Sequence, residues 1–286
     1  MKEEEIISLI TRSINTIITS LFNSIDNNIY NNLDGISFIN PEIINNSSFS
    51  KLLGNNEKTG LIIISNTIIL GLCIYYIVRY YFNNILEQPV EKPTQFIFKL
   101  LIIMFFINFS YFIIEQIINI NYLISISIKA TSSSILNTDV SFSNLITLIN
   151  KKIIMDNDIN LLSYNGVLKC SLSIGLLFLL FSYSIRYILI QVLILVTPLV
   201  FLTLINSSSS WIFKSWCKAL FLMLIIQIFI PIILTIIFLI DSTNEVLLLS
   251  GIFVLSRINT YIKEIFGGIG LEFSTNINSL ITSLKR

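Results

Sequence analysis

Residues 166–205 read GVLKCSLSIGLLFLLFSYSIRYILIQVLILVTPLVFLTLI, forty positions of nearly unbroken apolar sequence interrupted by Arg186 and Pro198. As one helix this stretch would run about 60 Å, twice the roughly 30 Å hydrocarbon core of a bilayer. Something in it is expected to bend. Arg186 and Pro198 are the candidate break points, giving either two tightly joined helices or one crossing near 166–190 followed by a re-entrant or interfacial piece.

Working outward, four more apolar runs are long enough to span: residues 61–82, 100–120, 219–240 and 246–262. The linker NNILEQPVEKPTQFIFK between the first two carries two prolines and several charges, which bars it from the hydrocarbon. Residues 121–165, with TSSSILNTDV and NKKIIMDNDIN as their most polar parts, read as a hydrophilic loop. The expected fold is therefore an all-α, polytopic transmembrane protein of about five spans, or six if 166–205 crosses twice. No internal repeat supports an inverted-repeat transporter.

Composition agrees. With 54% hydrophobic and 12% charged residues and a mean hydropathy of +0.81, 286 residues carry more apolar surface than a soluble core of that size hides. The net charge of +1 excludes a global field for nucleic acid. Cys73, Cys170 and Cys217 lie far apart in or beside apolar runs and read as buried hydrophobes. The acidic start MKEEEIISLI lacks the pattern of a secretory signal peptide.

Residues 1–60 read as a separate polar region. Ile6, Ile10, Ile14, Ile17, Leu21 and Ile25 recur at steps of three and four, one face of an amphipathic helix. Its other face is rich in Asn, Ser and Thr rather than basic, which favours a partner protein over an anionic membrane surface. The following NNLDGISFINPEIINNSSFSKLLGNNEKTG reads as loop.

The chain has no histidine, which removes zinc-protease signatures, histidine proton relays and Ser-His or Cys-His nucleophiles. GNNEKTG has the wrong spacing for a phosphate loop, and GGIG at 267–270 reads as a helix cap. No catalytic, cofactor-binding or metal-ligating residue is expected, and the protein is read as no enzyme. What remains is polar residues inside spans, which are costly in lipid and usually turn toward protein or water. Glu115 reads as an interfacial carboxylate near the end of the second span, and Arg186 as a boundary residue. The sharper reading has Asn108, Glu115, Arg186 and Gln227 line a helix interface or aqueous path.

Basic residues mark cytoplasmic flanks. A five-span arrangement with the N-terminus outside puts ten of the 18 basic and four of the 17 acidic residues inside. A six-span arrangement with the N-terminus inside scores better on basic residues alone. Both place residues 206–218 as a cytoplasmic elbow, with Trp211 and Trp216 anchored at headgroup depth and Lys214 and Lys218 facing the cytoplasm.

The run RYILIQVLILVTPLVFLTLINSSSSWIFKSWCKALFLMLIIQIFIPIILTIIFL, preceded by an amphipathic segment, two spans and a hydrophilic loop, resembles the TrbL-type polytopic inner-membrane component of type IV secretion and conjugal transfer machines. The features that carry the resemblance are Arg186, Pro198, the serines 207–210 and Trp211 or Trp216 within residues 166–270. It implies a non-enzymatic scaffold and channel subunit in a bacterial plasma membrane, without cofactor, multi-copy beside ATPases and other secretion subunits. It further implies an exported N-terminus, about five spans, a cytoplasmic C-terminus, and single-stranded DNA with its relaxase, or protein, as cargo. The alternative class is the membrane subunit of a small-molecule exporter or permease; a small-pore membrane protein is a third.

Overall fold

The computed structural model describes residues 12–13, 15–17, 20, 32–54, 60–87, 92–153, 164–206, 208–240 and 245–266. Among these there is no strand, and five helices are long and apolar enough to cross a membrane. This is the all-α, multi-pass architecture the hydropathy predicts. Ile6, Ile10, Ile14, Leu21 and Ile25 of the expected N-terminal amphipathic helix, the GGIG motif and the basic C-terminus lie outside the described residues.

The region expected to be loop before residue 60 is ordered by local chemistry. Residues 32–37 are helical, and a 3-10 turn follows at Pro41–Ile43, where the Asn40 side chain accepts from the Glu42 N–H at 3.2 Å. Helix α1, Ser47–Leu53, is capped at its start by Asn46 and ends at Gly54 in the left-handed conformation. Gly60, with φ +139°, passes so close that a Cβ there would lie 2.4 Å from the Gly54 Cα.

Helix α2 runs Leu61–Ile85, matching the first expected span. The second span is not residues 100–120. Helix α3, Pro93–Asn108, stops at Phe109, and α4 then runs Ser110–Leu136, sixteen residues into the stretch expected to be a hydrophilic loop. The Ser and Thr residues there misled the hydropathy reading because their hydroxyls are satisfied inside the helix. Ser125 donates to Asn121 O at 2.8 Å and Thr131 to Ser127 O at 2.9 Å. Asn137, in the left-handed region at φ 53°, ends α4.

Helix α5, Phe142–Ile153, also lies in the expected loop. Phe142, Leu145, Ile146 and Ile149 form a buried stripe at helical spacing. Its start is capped from a distance: Asp34 accepts from the Phe142 N–H at 3.1 Å and from the Ser143 N–H at 3.4 Å. Asp34→Ala is expected to cost about 1 kcal/mol of stability, read as a lower denaturation midpoint in micelles.

Helix α6 is one helix, Tyr164–Leu202, about 58 Å long at about 1.5 Å per residue. The expected break at Arg186 is absent, and Pro198 lies inside the helix rather than ending it. The expected elbow at 206–218 shrinks to a turn, because α7, Ser210–Leu239, starts before Trp211. Thr203, Asn206 and Ser209 close that turn, Ser209 Oγ donating to Thr203 O at 2.9 Å. Helix α8 spans Glu245–Phe266.

The chain forms two compact units. The first joins Met1–Ile39, Asn121–Tyr187 and Leu222–Arg286, and the described residues 33–39 of the N-terminal segment pack among its helices. Its core is built from Leu33, the stripe of α5, Leu172, Leu176, Leu179 and Tyr183 of α6, Ile226, Ile230 and Leu234 of α7, and Leu248, Ile252, Leu255 and Ile258 of α8. The second unit joins Asn40–Ile120 and Ile188–Phe221. Ile62 and Ile69 of α2 pack there with Leu100, Ile103 and Ile107 of α3 and Phe201 of α6. Tyr76 and Phe96 stack with ring centroids 3.7 Å apart. Leu70, Ile74, Ile77 and Tyr81 of α2 are each at least 60% exposed, an apolar surface that suits lipid and not water.

Candidate functional site

Two polar residues of the spans, Arg186 and Gln227, converge on one stretch of main chain. In the first unit, Arg186 and Gln227 are buried on α6 and α7, 1% and 0% exposed. Both reach residues 37–39, where the short N-terminal helix ends. Arg186 Nη2 donates to the Ser37 carbonyl. Gln227 Oε1 accepts from the Ile39 N–H at 3.1 Å, and its Nε2 donates to the Ile39 carbonyl at 3.3 Å. One side-chain amide thus satisfies both backbone groups of one residue, as a neighbouring strand would.

This answers a local problem. Past residue 37 the chain stops being helical, and its free N–H and C=O groups are buried, Ile39 being 1% exposed. Non-helical backbone among apolar helices persists only where protein groups satisfy it. Pro231, one turn beyond Gln227, has no N–H to give the Gln227 carbonyl, so α7 is also loosened at the turn that grips the segment.

Neighbours fix the clamp. The Arg186 guanidinium lies over the Tyr183 ring at 5.3 Å, and the Tyr183 hydroxyl donates to Leu255 O at 3.3 Å. Asn259 Nδ2 donates to Ser182 Oγ at 2.6 Å, tying α8 to α6 one turn below. Phe38, between the two gripped residues, lies under the Lys129 ammonium at 5.7 Å, and Lys129 pairs with Asp139 at 3.7 Å. Residues 34–39 are therefore held by α4, α5, α6 and α7 at once.

The other expected site residues belong to the second unit. Asn108, the last residue of α3, accepts at Oδ1 from Asn66 Nδ2 of α2 at 3.1 Å and donates to Met104 O. It ties α3 to α2 through Asn66. Glu115 is half-buried in the second turn of α4, near the start of a span rather than the end of one, where the helix dipole favours a negative charge. Close by, the Tyr111 hydroxyl donates to Asn45 Oδ1 at 2.6 Å.

Pro198 is buried near the end of α6. A carbonyl five residues before it takes two side-chain donors. Leu193 O accepts from Thr197 Oγ1 at 3.0 Å and from the Trp216 indole at 2.9 Å. Trp216 is 8% exposed and packs on Phe201 and Phe213 with centroids about 6 Å away. Trp211 and Lys214 are exposed on the first turns of α7, and Lys218 is half-buried. Trp216→Phe keeps an aromatic ring but removes the donor and the volume of the fused pyrrole, and is expected to cost about 2 kcal/mol in a micellar unfolding titration.

The sequence reading passed over Lys169 and the segment 33–39. Lys169 is fully buried and donates to Asn150 Oδ1 of α5 at 2.6 Å. The helical spacing of Phe142, Leu145, Ile146 and Ile149 was the available signal that α5 would cover it. For residues 37–39 no local signal exists. No protein-family model matches the chain, and no curated protein matches it.

Proposed function

We propose that this chain is a non-enzymatic scaffold and channel subunit of an export machine of the type IV secretion, conjugative-transfer kind. It acts in several copies in a bacterial inner membrane with an exported N-terminus. The observation that carries the reading is the use made of the intramembrane polar groups. Arg186 and Gln227 hold the chain's own backbone, and Asn108 holds Asn66, so these side chains fasten helices. The sequence features that resemble TrbL-type components, Arg186, Pro198, the serines 207–210 and Trp211 or Trp216, and the broad apolar face of α2, suited to lipid or neighbouring subunits, support the same view.

Affinity capture of the tagged full chain from detergent-solubilised membranes is expected to bring an ATPase and other envelope subunits, and deletion is expected to abolish transfer. Recovery as a lone monomer, with transfer intact after deletion, overturns the proposal. A permease subunit is the second reading. It is favoured by Pro198 and Pro231, both inside helices, because loosened turns of this kind bind small substrates in transporters. Substrate uptake by the chain alone in proteoliposomes decides for it.

A further inference from the structure

Arg186 holds Ser37 with only part of its guanidinium. Nη2 donates to the Ser37 carbonyl and the group lies over the Tyr183 ring, but Nε and Nη1 have no hydrogen-bond partner although the residue is 1% exposed. A guanidinium does not shed its proton in a protein, so a charge with two unmet donors stays buried while residues 37–39 lie against it. Two unmet donors on an ion weigh more than one bond to a neutral carbonyl, so Arg186 on balance opposes the closed position. Gln227 acts the other way, since its amide satisfies both backbone groups of Ile39.

The same segment is tied to α5. Asp34 accepts from the Phe142 and Ser143 N–H groups, and Leu33 shares one core with Phe142, Leu145, Ile146 and Ile149. Phe38 lies under Lys129, which pairs with Asp139 just before α5. Phe142 in turn meets edge-on, at 5.9 Å, the Tyr183 ring that carries Arg186. Further along, Asn150 of α5 accepts at 2.6 Å from the fully buried Lys169 of α6. Lifting residues 33–39 therefore removes the cap of α5 and one wall of its core.

We propose that residues 33–39 and α5 form a hatch over α6 that opens as one unit, with Gln227 as its latch and the unmet guanidinium of Arg186 biasing it open. The open form brings two buried cations, Arg186 and Lys169, to water. The device needs no partner protein and does not rest on the export reading.

Amide hydrogen exchange of the full chain in nanodiscs, read by mass spectrometry on peptides covering residues 33–39, 142–149 and 172–183, tests it. In the wild type the first two are expected to exchange together, and faster than the third. Gln227→Leu removes an amide that bonds only the segment, and is expected to speed both by the same factor, about tenfold. Gln227→Asn, which shortens the amide, gives the same readout where leucine prevents folding. Arg186→Met keeps the length, removes the charge and leaves only the Ser37 carbonyl unmet, and is expected to slow both about five-fold. If Gln227→Leu or Gln227→Asn speeds exchange in 33–39 and leaves 142–149 unchanged, the two do not open as one unit and the proposal fails. It fails equally if Arg186→Met speeds exchange or does not fold, because Arg186 is then a strut that the closed form needs.

Discussion

Gln227→Leu is expected to destabilise the protein by about 2–4 kcal/mol. Leucine fills a similar volume, so the loss is not a cavity. It leaves the Ile39 N–H and C=O buried without a partner, at about 1–3 kcal/mol for each such group, with values in membrane proteins toward the low end. Unfolding in mixed micelles measures the loss. Opening of the segment is read by thiol labelling of Ser37→Cys in a background without native cysteines. Ser37 is fully buried, so the cysteine is protected while the clamp holds. Labelling is expected to accelerate at least about tenfold in Gln227→Leu, which corresponds to 1.4 kcal/mol or more of local opening. Gln116→Leu, at an exposed position of α4, is the control and is expected to shift stability by less than about 0.5 kcal/mol. Equal labelling in the wild type and Gln227→Leu would mean that the amide holds nothing.

Gly251→Leu is the second large effect, at about 1–3 kcal/mol. A Cβ at 251 would lie 2.6 Å from both Cδ1 and Cγ1 of Ile237, so α8 approaches α7 closely because residue 251 has no side chain. Adding Ile237→Ala makes room, and the double variant is expected to recover about 1 kcal/mol relative to the sum of the single changes. Gly175 provides the contrast. A Cβ there meets Ile252 and Phe253 at 3.4 Å, ordinary contact, so Gly175→Ala is expected to be neutral or to stabilise by up to about 1 kcal/mol through helix propensity. If Gly175→Ala is the more harmful substitution, the packing described for α6, α7 and α8 is wrong.

The candidate site was partly legible. Arg186 and Gln227 stand out in sequence because charge and amide groups are rare in runs this apolar, and rarity alone marks them as turned toward protein. Asn108 is marked the same way. Trp216, an indole beside two lysines, has the composition of an interfacial anchor, and its burial is invisible in the local sequence. Only the fold of α6 back onto α7 turns it toward Leu193. Pro198 and Arg186 mislead as break points because one helix runs through both, from Tyr164 to Leu202, with Arg186 packed inside the first unit and Pro198 only four residues from the helix end.

Membrane residence, the all-α class and the number of long apolar helices follow from the sequence by itself, because the free energy of placing a segment in hydrocarbon is a sum over its own residues. The division of α3 from α4 at Phe109, the helical course of 110–136 and the burial of α5 depend on which hydroxyls and stripes find partners. The clamp lies further still from local pattern. Arg186 meets a residue 149 positions away and Gln227 one 188 positions away, and a buried hydrogen bond rewards only the donor and acceptor that the folded chain brings together.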